Sequence, residues 1–341
     1  MQVKTFKGNF LEIGKQQGKI YKKNGMDFRN IKINLKLFQN QLRVYKRYYP
    51  ELLEEFKGMA ESGKFDEKKL VYFFITKEIS RFIKRLDIEK ACTIFGVKNK
   101  KNVFVGRNYD WHPMTERVFE LYKVINPERN SFIALTDMDV SGAFITPKNL
   151  FYNVDDAIND KGLFIGLSFA YKDKWSYGLS CVHMIKLIVE TCSTVKDSLR
   201  LFKKIPLCCP KNFFIADKNG DMAVVEHTSK RFKVLYPKND ILIQTNHYVD
   251  PELAEEDTVL IHKPTHNTFL RYYETLQKIN ARKEKFKLFD IIKILGDKKS
   301  CICQNHPNMK TIWSLALDMK TRRYKLYWNI LGKRKEKILK I

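Results

Sequence analysis

Residues 91–97 read ACTIFGV and begin the part of the chain that decides the fold. The run is small and apolar with the alternation of a β-strand, and five turn-forming residues follow it at 98–102. A second strand-like run ends in GRNYDW at 106–111. The two runs predict a hairpin that folds Arg107 and Asp110 back beside Cys92. A thiol near a guanidinium and a carboxylate indicates a site, although a buried free cysteine is the common alternative.

The chain before this hairpin predicts mostly helix, over residues 9–90. Apolar residues recur with helical spacing at 11–21 and again at 31–48. Pro50 is placed to begin a further helix, and Asp66 is a candidate N-cap for the next one. The sequence therefore changes from helical to strand-like texture close to Cys92.

The chain after the hairpin predicts strands with two interruptions. A hairpin at 212–226 is followed by strands at 232–236 and 241–245 and by a final hairpin at 311–317 and 324–328. Helices are predicted at 182–203 and 268–280. Antiparallel strands broken by blocks of helix are typical of a layered α+β fold.

Composition limits the compartment and the cofactors. The 341 residues are 44% hydrophobic, which is enough for a sizeable core. Seven cysteines at irregular spacing fit a reducing compartment. No CxxC pair accompanies Cys208 and Cys209 or Cys301 and Cys303, so we expect no metal and no resident cofactor. Residues 1–8 lack an apolar signal, so we expect a cytoplasmic protein.

The net charge of +25 permits anionic partners but does not require them. Lysines are spread along the whole chain with acids between them, and no nucleic-acid-binding motif accompanies them. No apolar run approaches the roughly 18 residues that span a bilayer. We expect neither a nucleic-acid partner nor a transmembrane segment.

A thiol needs a base, because the thiolate is the nucleophile and its ordinary pKa is about 8.5. No histidine except His112 lies near Cys92 in the sequence. Cutting the bond before Cys92 would supply another base, since an α-amino group has a pKa of about 7.7 to 8.0. Nucleophiles activated by their own terminal amine follow this logic.

Five short motifs in order carry a resemblance to a known family. They are GNFLEIGKQQG at 8–18, YPELLEEFKGMA at 49–60, the Cys92-Thr93 pair, GRNYDW at 106–111 and NDKGL at 159–163. Together they resemble the peptidase C45 group of N-terminal-nucleophile hydrolases, the family of acyl-coenzyme A:6-aminopenicillanate acyltransferase. The choloylglycine hydrolases, including penicillin V acylase, are more distantly similar.

The resemblance implies a four-layer αββα sandwich and autocatalytic cleavage between Ala91 and Cys92. Residues 1–91 would form a helical pro-segment or α fragment, and residues 92–341 the catalytic β fragment. The two fragments would stay together as a heterodimer, and a higher oligomer remains open. The family usually has glycine before the nucleophile, so Ala91 is a departure that puts the efficiency of cleavage in question.

The resemblance also implies roles for individual residues. Cys92 would be the nucleophile, and Asp110 would hold its α-amine. Arg107 would stabilise the thiolate. Asn246 matches the asparagine that donates to the oxyanion, and Arg271 matches an arginine near the nucleophile.

Further residues are candidates to stabilise the oxyanion or to bind the substrate. Ser168 falls where relatives supply a second oxyanion donor from a backbone N–H. Trp111, Phe144 and Phe169 are candidates to line an apolar acyl pocket, as are Tyr109 and Tyr171.

The predicted activity is cleavage or transfer at linear, non-peptide C–N amide bonds through a Cys92 thioester. The partner would be a small-molecule amide or acyl donor, and a coenzyme A thioester is an open candidate for co-substrate. Whether water or an amine accepts the acyl group stays open. The alternative is a catalytically inactive basic binding or scaffold protein on the same fold.

Overall fold

The computed structural model of the chain describes residues 1–83, 90–100, 102–137, 151–170, 174–258 and 267–341. Phe144 and Tyr171, two of the predicted pocket residues, lie outside the described residues.

Helices fill most of the chain before Cys92, as its sequence predicts. After the short strand β1 (Lys4–Lys7) they are α1 (Phe10–Lys23), α2 (Leu35–Tyr48), α3 (Pro50–Gly63) and α4 (Glu67–Ile83). Asp66 caps α4 by accepting a hydrogen bond from the Lys69 backbone N–H at 2.9 Å, as predicted. The prediction that α2 begins at residue 31 is wrong, because Asn34 caps the helix and Leu35 begins it.

Later helices are α5 (Cys181–Thr191), α6 (Val195–Lys204), α7 (Pro251–Ala254), α8 (Thr268–Asn280) and α9 (Leu288–Leu295). The prediction of one helix at 182–203 is wrong, because Thr194 caps a new helix by accepting from the Asp197 N–H at 3.1 Å. The helix predicted at 268–280 is confirmed. No helix in the described ranges is both long and apolar enough to cross a membrane.

The described strands form two sheets. After β1 the strands are β2 (Ala91–Asn99), β3 (Asn102–Trp111), β4 (Glu120–Ile125), β5 (Phe132–Thr136), β6 (Asp156–Asn159), β7 (Leu163–Phe169), β8 (Lys211–Asp217), β9 (Met222–His227), β10 (Phe232–Leu235), β11 (Ile241–Gln244), β12 (Asn305–His306), β13 (Met309–Asp318), β14 (Arg323–Trp328) and β15 (Lys335–Leu339). One sheet has the order β1-β4-β5-β6-β7-β8-β9-β10, and the other has the order β11-β2-β3-β13-β14-β15 with β12 beside β13. The predicted hairpins are confirmed.

Two details of the sheets were not predicted. β1 pairs with β4 in parallel, so the first residues of the chain extend the first sheet. The turn between β2 and β3 is shorter than the five residues predicted, because Asn99 pairs directly with Asn102 and Lys100 has a φ of 56°.

Three hydrophobic clusters separate four layers. The first lies between helices α1–α6 and the first sheet and includes Phe56 and Ile185. The second lies between the two sheets and includes Ile94 and Trp313. The third lies between the second sheet and helices α8 and α9 and includes Phe95. Successive residues of β2 therefore face different layers, and the αββα sandwich is confirmed.

The N-terminal helices are joined to the later part of the chain by buried polar contacts. The Lys186 ammonium on α5 forms ion pairs with Glu55 on α3, at 2.8 Å, and with Glu190. Helices α1 and α3 approach so closely that a Cβ on Gly14 would lie 1.9 Å from the Glu55 carbonyl oxygen. The described residues before Cys92 are thus packed against the later part of the chain.

Candidate active site

The register of β2 with β3 decides what surrounds Cys92. Ala91 lies opposite Asp110, and Cys92 lies opposite Tyr109. Because side chains alternate across a strand, the thiol faces the space between the sheets and Asp110 points to the other face. The hairpin therefore places Arg107 on the face of the thiol and Asp110 beside the preceding peptide bond.

Arg107 is wholly buried and anchored on the first sheet. Its Nε donates to both oxygens of Asp156, at 2.9 and 2.8 Å, and its Nη2 donates to the Leu167 carbonyl at 3.1 Å. Burial raises the pKa of the Cys92 thiol, and the positive charge of Arg107 opposes that rise. The thiol of the uncut chain is therefore protonated at neutral pH, and the Arg107 guanidinium is the charge that would stabilise its thiolate.

Asp110 has one satisfied and one unsatisfied oxygen. Its Oδ1 accepts from the Thr311 hydroxyl at 2.6 Å, while its buried Oδ2 has no hydrogen-bond partner among the described residues. Burial raises the pKa of this carboxyl to about 6, although Arg271, Thr311 and Arg107 oppose the rise. A buried orphan acceptor of this kind beside Cys92 fits a cationic donor.

Asn246, two residues after the end of β11, and Arg271 on α8 hold the Cys92 backbone. The Oδ1 of Asn246 accepts from the Cys92 N–H at 2.8 Å and from Arg271 Nη2 at 2.8 Å. Both partners can only donate, so the orientation of the amide follows. Arg271 Nη1 donates to the Cys92 carbonyl and to Thr93 Oγ1, the latter at 3.1 Å. The amide nitrogen of Asn246 donates to the Phe169 carbonyl at 3.1 Å.

The remaining candidates lie around this centre. Ser168 donates its hydroxyl to the Thr245 carbonyl at 2.7 Å and so braces the residue before Asn246. Phe169 lines a pocket with about 430 Å³ of empty space, open solvent included. Trp111 is buried and lies under the ammonium of Lys90, 3.9 Å from its ring centroid.

A comparison with protein families decides the affiliation of the chain. Residues 97–331, more than half of the chain, match the family model described as acyl-coenzyme A:6-aminopenicillanic acid acyl-transferase. The chain belongs to this family. The matched range begins after Cys92, so the roles of Ala91 and Cys92 do not rest on it. No protein with a curated description matches the chain.

Solved structures show the same fold. Conjugated bile acid hydrolase from Clostridium perfringens is 14% identical and has a TM-score of 0.50, with 73% of this chain and 97% of that chain covered. Penicillin V acylase from Agrobacterium tumefaciens is 14% identical with a TM-score of 0.50, and 73% and 86% of the two chains are covered. At this level of identity the likeness shows the fold of the chain, which is that of the N-terminal-nucleophile hydrolases.

Sequence reasoning missed the charged residues on the inner side of the site. Four charged residues, all at least 95% buried, lie beside the candidates. Lys90, Asp137 and Asp155 line the same pocket as Phe169, and Asp156 accepts hydrogen bonds from Arg107. Among 63 lysines and arginines, nothing in the sequence singles out Lys90 except its closeness to Cys92.

One other cluster has metal-binding residue types. Glu78, Cys208 and Cys209 bring ligand atoms within 4.8 Å of one another. Glu78 already accepts from the Cys181 N–H at 2.8 Å, and burial raises the pKa of the Cys208 thiol well above its ordinary value. The Cys208 thiol also donates to a Glu78 oxygen at 3.5 Å, so these residues form a buried contact between α4 and the loop before β8.

Proposed function

We propose that the chain is a cysteine N-terminal-nucleophile enzyme that cleaves itself between Ala91 and Cys92 and then cleaves linear amides. The observation that carries the proposal is the set of contacts at Cys92. Arg107 lies on the same face of the hairpin as its thiol, and Asn246 and Arg271 hold its backbone N–H and carbonyl. An ordinary core cysteine does not need three buried polar side chains from separate elements.

Self-cleavage would begin with attack of the Cys92 sulfur on the Ala91 carbonyl carbon. The S–C bond forms, the C–N bond between the two residues breaks, and the thiol proton ends on the new amine. Water then hydrolyses the thioester and leaves a carboxylate on Ala91. Asp110 pairs with Ala91 across the hairpin, and its buried Oδ2, which has no hydrogen-bond partner among the described residues, would accept a hydrogen bond from the amine produced in this way.

The processed enzyme would use the same atoms on a substrate. The α-amine of Cys92 takes the thiol proton, the sulfur attacks the amide carbonyl, and the amine leaves with that proton. Arg107 stabilises the thiolate electrostatically. Asn246 would donate to the oxyanion only after its amide nitrogen leaves the Phe169 carbonyl, so this role requires a local rearrangement.

Hydrolysis and acyl transfer differ only in whether water or an amine takes the acyl group from Cys92. A coenzyme A thioester would enter as acyl donor by the same attack. The fragments 1–91 and 92–341 would stay associated, because β1 pairs with β4 and Lys186 is buried against Glu55.

Intact-mass spectrometry of the purified protein under denaturing conditions tests the proposal. We expect two chains, residues 1–91 and 92–341, and a single intact chain for Cys92→Ala. Cys192→Ala, which removes a different buried free cysteine, is the matched control and should still be cut. An intact wild-type chain whose Cys92 is not labelled by a thiol-reactive acyl probe would exclude the proposed mechanism.

A further inference from the structure

Lys90 is enclosed by groups that are typical of a cation-binding site. Its ammonium lies 2.5 Å from the Asp137 carboxylate and 2.6 Å from the Tyr109 hydroxyl. It lies over the rings of Trp111 at 3.9 Å, Tyr109 at 5.3 Å and Phe169 at 5.6 Å from their centroids. Aromatic faces around a carboxylate attract alkylammonium ions, and a desolvated cation over a ring gains more than an exposed one. We call these four side chains around Lys90 the cage.

A second buried acid lies in the same pocket as the cage. Asp155 lines the same pocket, is 4% exposed, and its Oδ2 has no hydrogen-bond partner among the described residues. Burial and the charge of Asp137 raise the pKa of Asp155 to about 8, although Lys90 opposes the rise, so Asp155 is largely protonated at neutral pH. Two buried acids thus lie near the single ammonium of Lys90.

The other cations of this pocket are associated with a different acid. Lys77, Arg81 and Lys211 line the pocket together with Glu78. Although burial opposes it, the charges of Lys211, Arg81 and Lys77 hold the pKa of Glu78 below its ordinary value. Lys211 and Arg81 also lie over the Phe169 ring, at 4.1 and 5.9 Å from its centroid, so this ring is shared between the two groups of cations. Asp137 is the acid that pairs with Lys90, and Glu78 is the acid at the other end of the pocket.

Lys90 also has a defined position relative to the bond that cleavage would break. It precedes Ala91, so it belongs to the acyl side of the Ala91–Cys92 amide. The cage residues belong to the part of the chain after that bond. Cleavage would leave Lys90 covalently separate from its cage, and the acyl side of a substrate would take the place of residues 90 and 91.

We propose that the cage is a subsite for a cationic group on the acyl part of the substrate, and that Lys90 occupies it until the chain is cut. The substrate class is then an amide whose acyl chain carries an aliphatic ammonium. This choice of substrate rests on the proposed function, whereas the affinity of the cage for an alkylammonium does not.

The first experiment measures cation binding without cleavage or turnover. In the uncut Cys92→Ala background, Lys90→Ala removes the atoms equivalent to n-propylammonium. We expect 50 mM n-propylammonium chloride to raise the Tm of the double variant by about 2 °C or more over the same concentration of NaCl. Neither the Cys92→Ala parent nor a triple variant with Asp137→Asn should respond.

Three outcomes of this experiment would overturn the proposal. They are no rise in Tm, an equal rise in the parent chain, and an equal rise with propan-1-ol, which lacks the charge. Because the Cys92→Ala background performs no chemistry, each outcome is independent of whether the wild-type chain cuts itself.

A second experiment on the processed wild-type enzyme decides the matter if the double variant does not fold. The acetyl-Lys-Ala 4-nitroanilide copies the acyl side of the chain, and the norleucine and glutamate analogues remove or invert its charge. We expect kcat/KM at least tenfold higher for the lysine compound, and Asp137→Asn should abolish that preference. Equal turnover of the lysine and norleucine compounds would refute the cage while leaving the proposed function intact. Failure to turn over any anilide would count against the proposed function and, with it, against the cage as a substrate subsite.

Discussion

Asp110 should make the stability of the uncut chain depend on pH in a direction that is unusual for an acid. Burial raises the pKa of its carboxyl from 3.8 to about 6. A group with a raised pKa in the folded state contributes its stability below the unfolded pKa and loses it as pH rises toward the folded pKa. The window for Asp110 therefore runs from about pH 4 to about pH 6.

The magnitude follows from the difference between the two pKa values. A shift of about 2 units at 1.36 kcal/mol per unit corresponds to about 3 kcal/mol. Because half of the unfolded chains are already ionised near pH 4, about 2 kcal/mol of this falls between pH 4 and pH 7. The carboxyl is wholly buried and its Oδ2 lacks a hydrogen-bond partner among the described residues, so little solvent screening reduces the effect.

The perturbation is Asp110→Asn in the Cys92→Ala background, which keeps one covalent species. Asparagine retains an oxygen for the Thr311 hydroxyl and cannot ionise. Urea unfolding at pH 4, 5, 6 and 7 should show the asparagine variant gaining about 2 kcal/mol relative to its parent as the pH rises. Asp240→Asn, at an exposed position with a φ of 63°, controls for the loss of one negative charge.

A difference between the two chains that stays constant from pH 4 to pH 7 would refute the reasoning. It would mean that the Asp110 carboxyl has a cationic neighbour or water access that the described contacts do not supply. In the cleaved enzyme the α-amine of Cys92 would be that neighbour, so the same measurement on processed protein should show a weaker pH dependence.

Two further predictions concern the attachment of the N-terminal helices. Lys186→Met should lower the free energy of unfolding in urea by about 3 to 5 kcal/mol, because it leaves Glu55 and Glu190 buried without their cation. Arg200→Met, which removes an exposed ion pair, should lower it by less than about 1 kcal/mol. Equal losses in the two variants would contradict a stabilising role for the buried ion pairs of Lys186. Gly14→Ala should lower the free energy of unfolding by about 1 to 3 kcal/mol, because its Cβ would lie 1.9 Å from the Glu55 carbonyl oxygen and helix α1 would have to move. An unchanged unfolding midpoint in urea would show that α1 and α3 are not so closely packed.

The sequence alone determined the features that local physics controls. The alternation at 91–97 and the turn after it predict the β2–β3 hairpin, the Asp66 cap and the apolar run after it predict α4, and α8 is predicted as a helical stretch. The pairing of strands that are adjacent in sequence also sets Arg107 near Cys92. The ordered motifs indicated the family, which the match over residues 97–331 confirms.

The sequence could not define the parts of the site that come from distant elements. Asn246 and Arg271 follow Cys92 by more than 150 residues, and only a resemblance pointed to them. Their contacts with the Cys92 N–H and carbonyl are a property of how β11 and α8 pack against β2.

The tertiary structure also decided matters that no motif encodes. Register places the Cys92 thiol between the sheets and Asp110 on the opposite face, since a shift of one residue would exchange the two. Packing also leaves one oxygen of Asp110 without a hydrogen-bond partner among the described residues, and it encloses Lys90 in aromatic rings beside Asp137. In the sequence Lys90 is one of many lysines, and only the packing around it gives its charge a specific partner.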